Sequence, residues 1–271
     1  MVMHLRSVSL RSTGADDDGS YPFSVPAVAA VADAPLDFRS EATFFVGENG
    51  SGKSTLLEGL ACAARSIVIG RAGTGTDPTL AAGRRLGRAL RHSWHRPTHC
   101  GFFLRAEGVF GYARRMDHLR DDLTREAVTI DAAPTTSPSA RALGAGALRG
   151  QVGEIRRRYG AGVDVRSHGE RFLTLFQQRL VPGGLYLIDE PEAPLSPTCQ
   201  LSLLSLLKTM VAEQEIQFNV ATHSPILMAF PGATILSFDG GQIRDVPYAE
   251  LEHVTVTKQF LRDPDAFLRH M

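Results

Sequence analysis

The run GENGSGKS, Gly47 to Ser54, sets glycines, one lysine and a hydroxyl at the spacing G-x-x-x-x-G-K-[ST]. Residues of these types bind phosphate for a physical reason. Glycines let backbone N–H groups curl around phosphate oxygens, where larger side chains would block the approach. A helix starting near Lys53 would turn its positive end toward the same oxygens. Lys53 adds a point charge directed at the outer phosphates, and Ser54 offers a hydroxyl to a divalent cation. Gly47, Asn49, Gly50, Ser51, Gly52, Lys53, Ser54 and Thr55 therefore form a candidate nucleotide-binding set. The other lysines are only Lys208 and Lys258, so a lysine inside this loop is hard to ascribe to composition.

Further acids and polar groups stand where they could complete such a site. In LYLIDE, Leu185 to Glu190, four apolar residues deliver Asp189 and Glu190 to the end of a strand. Ligands of open α/β sheets bind at such ends. Asp189 would share the cation with Ser54, usually through water. Glu190 would orient and deprotonate an attacking water. Thr222-His223-Ser224 closes another apolar run, QFNVATH. A lone histidine there is commonly structural, but its place one helix beyond Glu190 favours a hydrogen bond to a terminal phosphate. SHGE, Ser167 to Glu170, reads as a helix N-cap. A cap is also an anion site, and Ser167 and Gly169 could serve both purposes.

These residues need strands and helices in a particular order. Residues 3–10 alternate in polarity and predict an opening strand. Residues 12–20 predict a surface loop. A Pro-punctuated stretch from Tyr21 to Phe38 ends in a second candidate strand. Thr43 to Val46 predicts a buried strand entering the glycine loop, and the apolar spacing of 53–65 predicts a helix leaving it. The stretch 80–91 predicts a helix with Arg84, Arg88 and Arg91 on one face. FFLRA within 101–110 predicts a strand. The composition of 132–153, rich in Pro, Ser, Thr, Gly and Ala, predicts a mobile loop. A helix is expected over 169–180. Ser196-Pro197 and Ser224-Pro225 each supply an N-cap and a first helical position. ATILSF and QIRDV flank Asp239-Gly240-Gly241 as a hairpin.

Composition narrows the class. Hydrophobic residues make up 43% of 271, enough for a packed core. The formal net charge of +0 argues against a protein coating nucleic acid over its whole surface. Cys62, Cys100 and Cys199 are widely spaced and predict free thiols in a reducing, cytoplasmic setting. His4 and Arg6 interrupt the apolar residues of the N-terminus, so no signal-peptide core is expected. No run approaches the roughly 18 apolar residues of a membrane span, so direct membrane insertion is not expected.

Taken together, the motifs resemble the ABC-type ATPase superfamily. GENGSGKS is similar to its Walker A, SHGE to its signature motif and LYLIDE to its Walker B. PEAPLSP, Pro191 to Pro197, resembles the loop between subunits, and Thr222-His223-Ser224 the switch-histidine loop. The likeness is greatest to stand-alone AAA/ABC-like ATPases whose motifs read roughly vGENGSGKST, FFRAE, SHGE, DEPEAALSP and THSP. The resemblance implies an α/β P-loop core with an antiparallel N-terminal β portion and a helical signature subdomain, in a single domain over 1–271 with a helical or irregular subdomain at about 76–180. It implies ATP and Mg²⁺, with Ser54 and Asp189 at the metal and Glu190 and His223 catalytic. Tyr21 or Phe23 would stack on adenine. Ser167 and Gly169 would serve the nucleotide of a second subunit, which implies an ATP-dependent dimer.

The departures from the transporter pattern bear on role. SHGE stands where transporter subunits carry LSGGQ, and no Gln occurs between Ser54 and Gln151 to fill the Q-loop position, near which Glu107 falls. The stretch between Lys53 and Ser167 has no heptad run, which excludes a long coiled-coil arm. The reading is an ATP-hydrolysing dimer that works an unidentified protein partner. The alternatives are the energising subunit of a membrane transporter and a DNA-maintenance or defence ATPase. Arg156-Arg157-Arg158 is compatible with nucleic acid but does not by itself indicate it.

Overall fold

The structure, a computed structural model, describes residues 3–11, 19–69, 77–133, 137–159 and 168–269. The chain runs β1 (Leu5–Leu10), α1 (Pro26–Asp33), β2 (Leu36–Asp37), β3 (Ala42–Val46), α2 (Lys53–Ala63), β4 (Ile67–Ile69), α3 (Ala81–Ala89), β5 (Leu90–Trp94) and β6 (Phe102–Arg105). It continues through α4 (Ala106–Ala132), α5 (Pro138–Tyr159), α6 (His168–Gln177), β7 (Leu185–Asp189), α7 (Pro197–Gln214), β8 (Gln217–Ala221), α8 (Pro225–Met228), β9 (Thr234–Ser237), β10 (Arg244–Asp245), α9 (Glu252–Arg262) and α10 (Pro264–Leu268).

Seven strands form the main sheet in the order β10-β9-β3-β8-β7-β6-β4, all parallel except β10. A small antiparallel sheet, β2-β1-β5, lies apart from it. This is the α/β P-loop core with an antiparallel N-terminal portion that the motifs imply. The central strands are apolar on both faces because each face has its own core. Phe45 and Leu187 point into one with β1, α1 and α2; Phe44, Val46, Tyr186 and Ile188 point into the other with α6, α7 and α8. Buried Gln217 joins the sheets: its Oε1 accepts the N–H of His4 (2.9 Å) and Leu5 (2.7 Å), and its Nε2 donates to the Leu5 carbonyl (3.0 Å).

The register aligns the strand ends. Leu236, Phe45, Ala221, Asp189 and Arg105 are successive partners across β9, β3, β8, β7 and β6. The residues just past this row are therefore neighbours in space.

Two expectations are corrected. The stretch 132–153 is largely helical where it is described: Ala132 ends the 27-residue α4, and residues 138–153 belong to the 22-residue α5. Ser137 accepts the N–H of Ala140 at 3.3 Å, and Pro138 takes the first helical position. This is the same device seen at Ser196-Pro197, and Ala, Leu and Arg supply the propensity that its glycines dilute. Buried Ala127 and Ala145 pack the pair, and Arg149 bridges to Asp131. The arginine row also breaks up. The helix stops at Ala89, Arg91 belongs to β5, and Arg84 donates to the Asp77 carbonyl at 2.6 Å. FFLRA does form the expected strand: as β6 its buried FFLR extends the main sheet beside β7.

Candidate functional site

Strand β3 ends at Val46, and the chain turns through Gly47 at φ 138°. A Cβ there would meet Asp239 Oδ1 at 2.8 Å, and that same oxygen accepts the Glu48 N–H at 2.8 Å. The hairpin after β9 thus braces the opening of the glycine loop. Gly52, at φ 99°, is the left-handed residue that starts α2, and its place is crowded: a Cβ would lie 2.4 Å from Val25 Cγ1 and 2.8 Å from Ala27 Cβ. Gly52→Ala is expected to lower unfolding free energy by about 1–3 kcal/mol through strain and overpacking. Denaturant unfolding checks this; an unchanged midpoint would show that α1 yields without penalty.

The first turn of α2 has no acidic residue and no side-chain cap, so its N–H groups face the loop. Lys53 is only 5% exposed, and its Nζ donates to the carbonyls of Gly47 (2.7 Å) and Glu48 (2.8 Å). Burial pushes its pKa down, while Glu190, Asp239, Asp189 and Glu192 push it up.

Asp189, 7% exposed, accepts the Ser54 hydroxyl at 2.9 Å. Burial pushes its pKa up to about 6, against the Ser54 hydrogen bond and Arg105, whose Nε is 3.8 Å from Oδ2. Arg105 also pairs with buried Glu58 on α2, tying the end of β6 to the phosphate-loop helix. The motifs did not reveal this link, nor the Asp239 brace.

Glu190 lies in the left-handed region, φ 49°, with its N–H bonded to the Ala221 carbonyl at 2.9 Å. Such backbone is uncommon outside glycine; it swings the Glu190 side chain off the strand line, leaving it half-exposed. His223 Nε2 is 3.8 Å from Glu190 Oε1. The His223 backbone N–H donates to Glu192 Oε1 at 2.6 Å, and its Nδ1 lies 3.2 Å from His253 Nε2 on α9. Burial lowers the His223 pKa, helped by Lys53 and His253, and Glu190 and Asp239 oppose it. Glu192 is partly buried, and that burial raises its pKa against the His223 hydrogen bond.

The two aromatic candidates part company. Phe23 is a core ring, 7% exposed, with the Arg85 guanidinium 5.6 Å from its centroid. Tyr21 is 54% exposed and its hydroxyl is 3.5 Å from Thr55 Oγ1. Arg85 holds the Tyr21 carbonyl at 2.9 Å. Gly169 is buried near the start of α6, where a Cβ would meet Cys199 Sγ at 2.9 Å, so its bare backbone packs closely on α7. Ser167 lies outside the described residues, as does the side chain of Glu107.

The family described as "AAA domain, putative AbiEii toxin, Type IV TA system" matches residues 171–229, a stretch that includes Asp189, Glu190 and His223. No curated protein matches the chain. Among solved structures the chain is similar to cbiO1 from Clostridium perfringens, part of the ABC transporter complex cbiONQ, with 18% identity, 99% of each chain covered and a TM-score of 0.46. It is similar to the SMC head domain from Thermotoga maritima, with 14% identity over 90% of this chain and 100% of that one, TM-score 0.43. A dimeric bacterial ABC transporter cassette shares 18% identity over 80% and 90%, TM-score 0.39. The fold is an α/β P-loop fold, as the motifs imply, and the family match over residues 171–229 is to an AAA domain.

Proposed function

We propose that this chain binds Mg-ATP, hydrolyses it to ADP and phosphate, and uses an ATP-dependent dimer to work an unidentified protein partner. One observation carries this reading: Lys53, Ser54, Asp189, Glu190 and His223 converge at the ends of three adjacent parallel strands, β3, β7 and β8. In this reading, loop N–H groups from Gly47 to Thr55 cradle the phosphates and Lys53 exchanges loop carbonyls for phosphate oxygens. Tyr21 supports the adenine. Glu190 takes a proton from the attacking water, and His223 donates a hydrogen bond to the terminal phosphate. The domain comprises 1–271, with α4 to α6 as its helical part. The start of α6, with Ser167 and Gly169, would close over the partner subunit's nucleotide. Among the described residues no helix is long and apolar enough to cross a membrane, and the reading places the protein in the cytoplasm.

The oxygens present suit a hard cation. Ser54 Oγ and Asp189 Oδ1 sit together, and Asp189 is a buried carboxylate whose raised pKa reflects incompletely compensated charge. Bound there, Mg²⁺ would neutralise charge on the triphosphate.

A pH dependence follows. Because Asp189 is raised to about 6, protons compete with the cation below that value. One pH unit below it, apparent Mg²⁺ affinity is expected to be about tenfold weaker. Phosphate release should therefore fall in acid and return as Mg²⁺ is raised; an acid loss that Mg²⁺ does not restore would remove Asp189 from the metal.

The test of the whole reading is phosphate release from Mg-ATP by wild-type and Lys53→Ala protein, with light scattering in parallel. Release equal in the two would exclude this site as its source.

A further inference from the structure

His253, outside every motif above, sits at the start of α9 with Nε2 3.2 Å from His223 Nδ1. One of these nitrogens must carry the shared proton. On the other side of the His223 ring, Nε2 is buried and has no hydrogen-bond partner, and Glu190 Oε1 lies 3.8 Å from it. A protonated Nε2 facing a carboxylate is favourable, whereas a lone pair facing it is repelled. That contact favours the tautomer with the hydrogen on Nε2 and an accepting Nδ1.

We infer that His253 is a positioning residue that donates its Nε2–H to His223 Nδ1, holding His223 as the Nε2–H tautomer aimed at the phosphate site. The partner of one ring nitrogen sets the state of the other. The His223 backbone N–H, anchored on Glu192 Oε1 at 2.6 Å, fixes the base of the side chain, so the contact with His253 controls ring rotation. The two rings are tilted, 51° between planes with centroids 5.3 Å apart, which suits an in-plane nitrogen contact better than stacking. Helix α9 thereby joins the site, although its sequence carries none of the phosphate-binding pattern.

The consequence for turnover rests on the hydrolysis reading; the tautomer assignment does not. Long-range ¹H–¹⁵N correlation of the wild-type protein at neutral pH is expected to show His223 protonated at Nε2 and accepting at Nδ1. Protonation at Nδ1 would overturn the inference. His253→Leu removes the donor and should lower kcat about three- to tenfold, the worth of one hydrogen bond, with KM for ATP unchanged. His253→Gln, whose amide N–H₂ can donate from the same position, should recover most of the loss. In a His223→Ala background His253→Leu should add nothing, since it acts through that ring. Unchanged kcat in folded His253→Leu, or a further loss in the double variant, would sink the positioning role. If Lys53→Ala and Glu190→Gln both release phosphate at the wild-type rate, the hydrolysis reading fails, and the nitrogen tautomers alone judge this inference.

Discussion

Glu190→Gln is expected to lower phosphate release by about 10²–10⁴-fold while Mg-ATP still binds, the range set by loss of a general base. Gln keeps the shape of Glu190 and can hold the attacking water, but it cannot take the proton. Lys53, Ser54 and Asp189, which hold the phosphates and cation in this reading, are untouched, and the Ser54–Asp189 contact of 2.9 Å does not involve Glu190. Removing one carboxylate beside a triphosphate also lowers repulsion and favours closure of the dimer. Size-exclusion chromatography with light scattering should show a dimer in Mg-ATP that persists, where the wild type cycles back to monomer. Hydrolysis at the wild-type rate would remove Glu190 from the proton transfer. A variant that binds ATP yet remains monomeric would count against the two-subunit arrangement and leave Glu190 in place.

Lys53→Ala is expected to weaken ATP binding roughly ten- to a hundredfold, the worth of charge-assisted hydrogen bonds of about 1.5–3 kcal/mol. A second effect follows from its burial. The ammonium now satisfies the Gly47 and Glu48 carbonyls and stands among Glu190, Asp239, Asp189 and Glu192. Its removal leaves those groups without the charge that balances them. Stability should fall as well, by about 1–3 kcal/mol for the unpaired polar groups. Calorimetric titration and thermal unfolding measured on the same sample separate the two effects. An unchanged ATP affinity in a folded variant would mean that the glycine loop does not hold the nucleotide.

The contiguous parts of the candidate site are legible in the sequence alone. A glycine loop declares itself because left-handed backbone at Gly47 and Gly52 excludes other residues, and the lysine and hydroxyl must follow at fixed distances. Ser196-Pro197 and Ser224-Pro225 announce helix starts because a cap is a bond between near neighbours: Ser196 accepts from Cys199, and Ser224 from Ile226 and Leu227. Strands β3, β7 and β8 were visible as apolar runs, and their acids and histidine fell at strand ends. The choice between Tyr21 and Phe23 was not legible, because both are aromatic residues in a Pro-punctuated stretch. Burial separates them, and burial depends on what else packs there.

Helix α5 was missed because composition averages over residues that act individually; Ser137 and Pro138 outweigh the glycines behind them. The remaining parts belong to the tertiary structure. Asp239 reaches the Glu48 N–H only because β9 pairs with β3; Arg105 reaches Glu58 and Asp189 because β6 pairs with β7. His253 meets His223 because α9 folds back over α8. Apolar alternation says that a strand is buried without saying beside which strand, so strand order, and every contact that depends on it, is settled by packing of the whole chain. By itself the sequence determined which groups could bind phosphate and move a proton, since those are properties of local backbone and residue type. Only the folded sheet decided which distant side chains brace, charge and orient them.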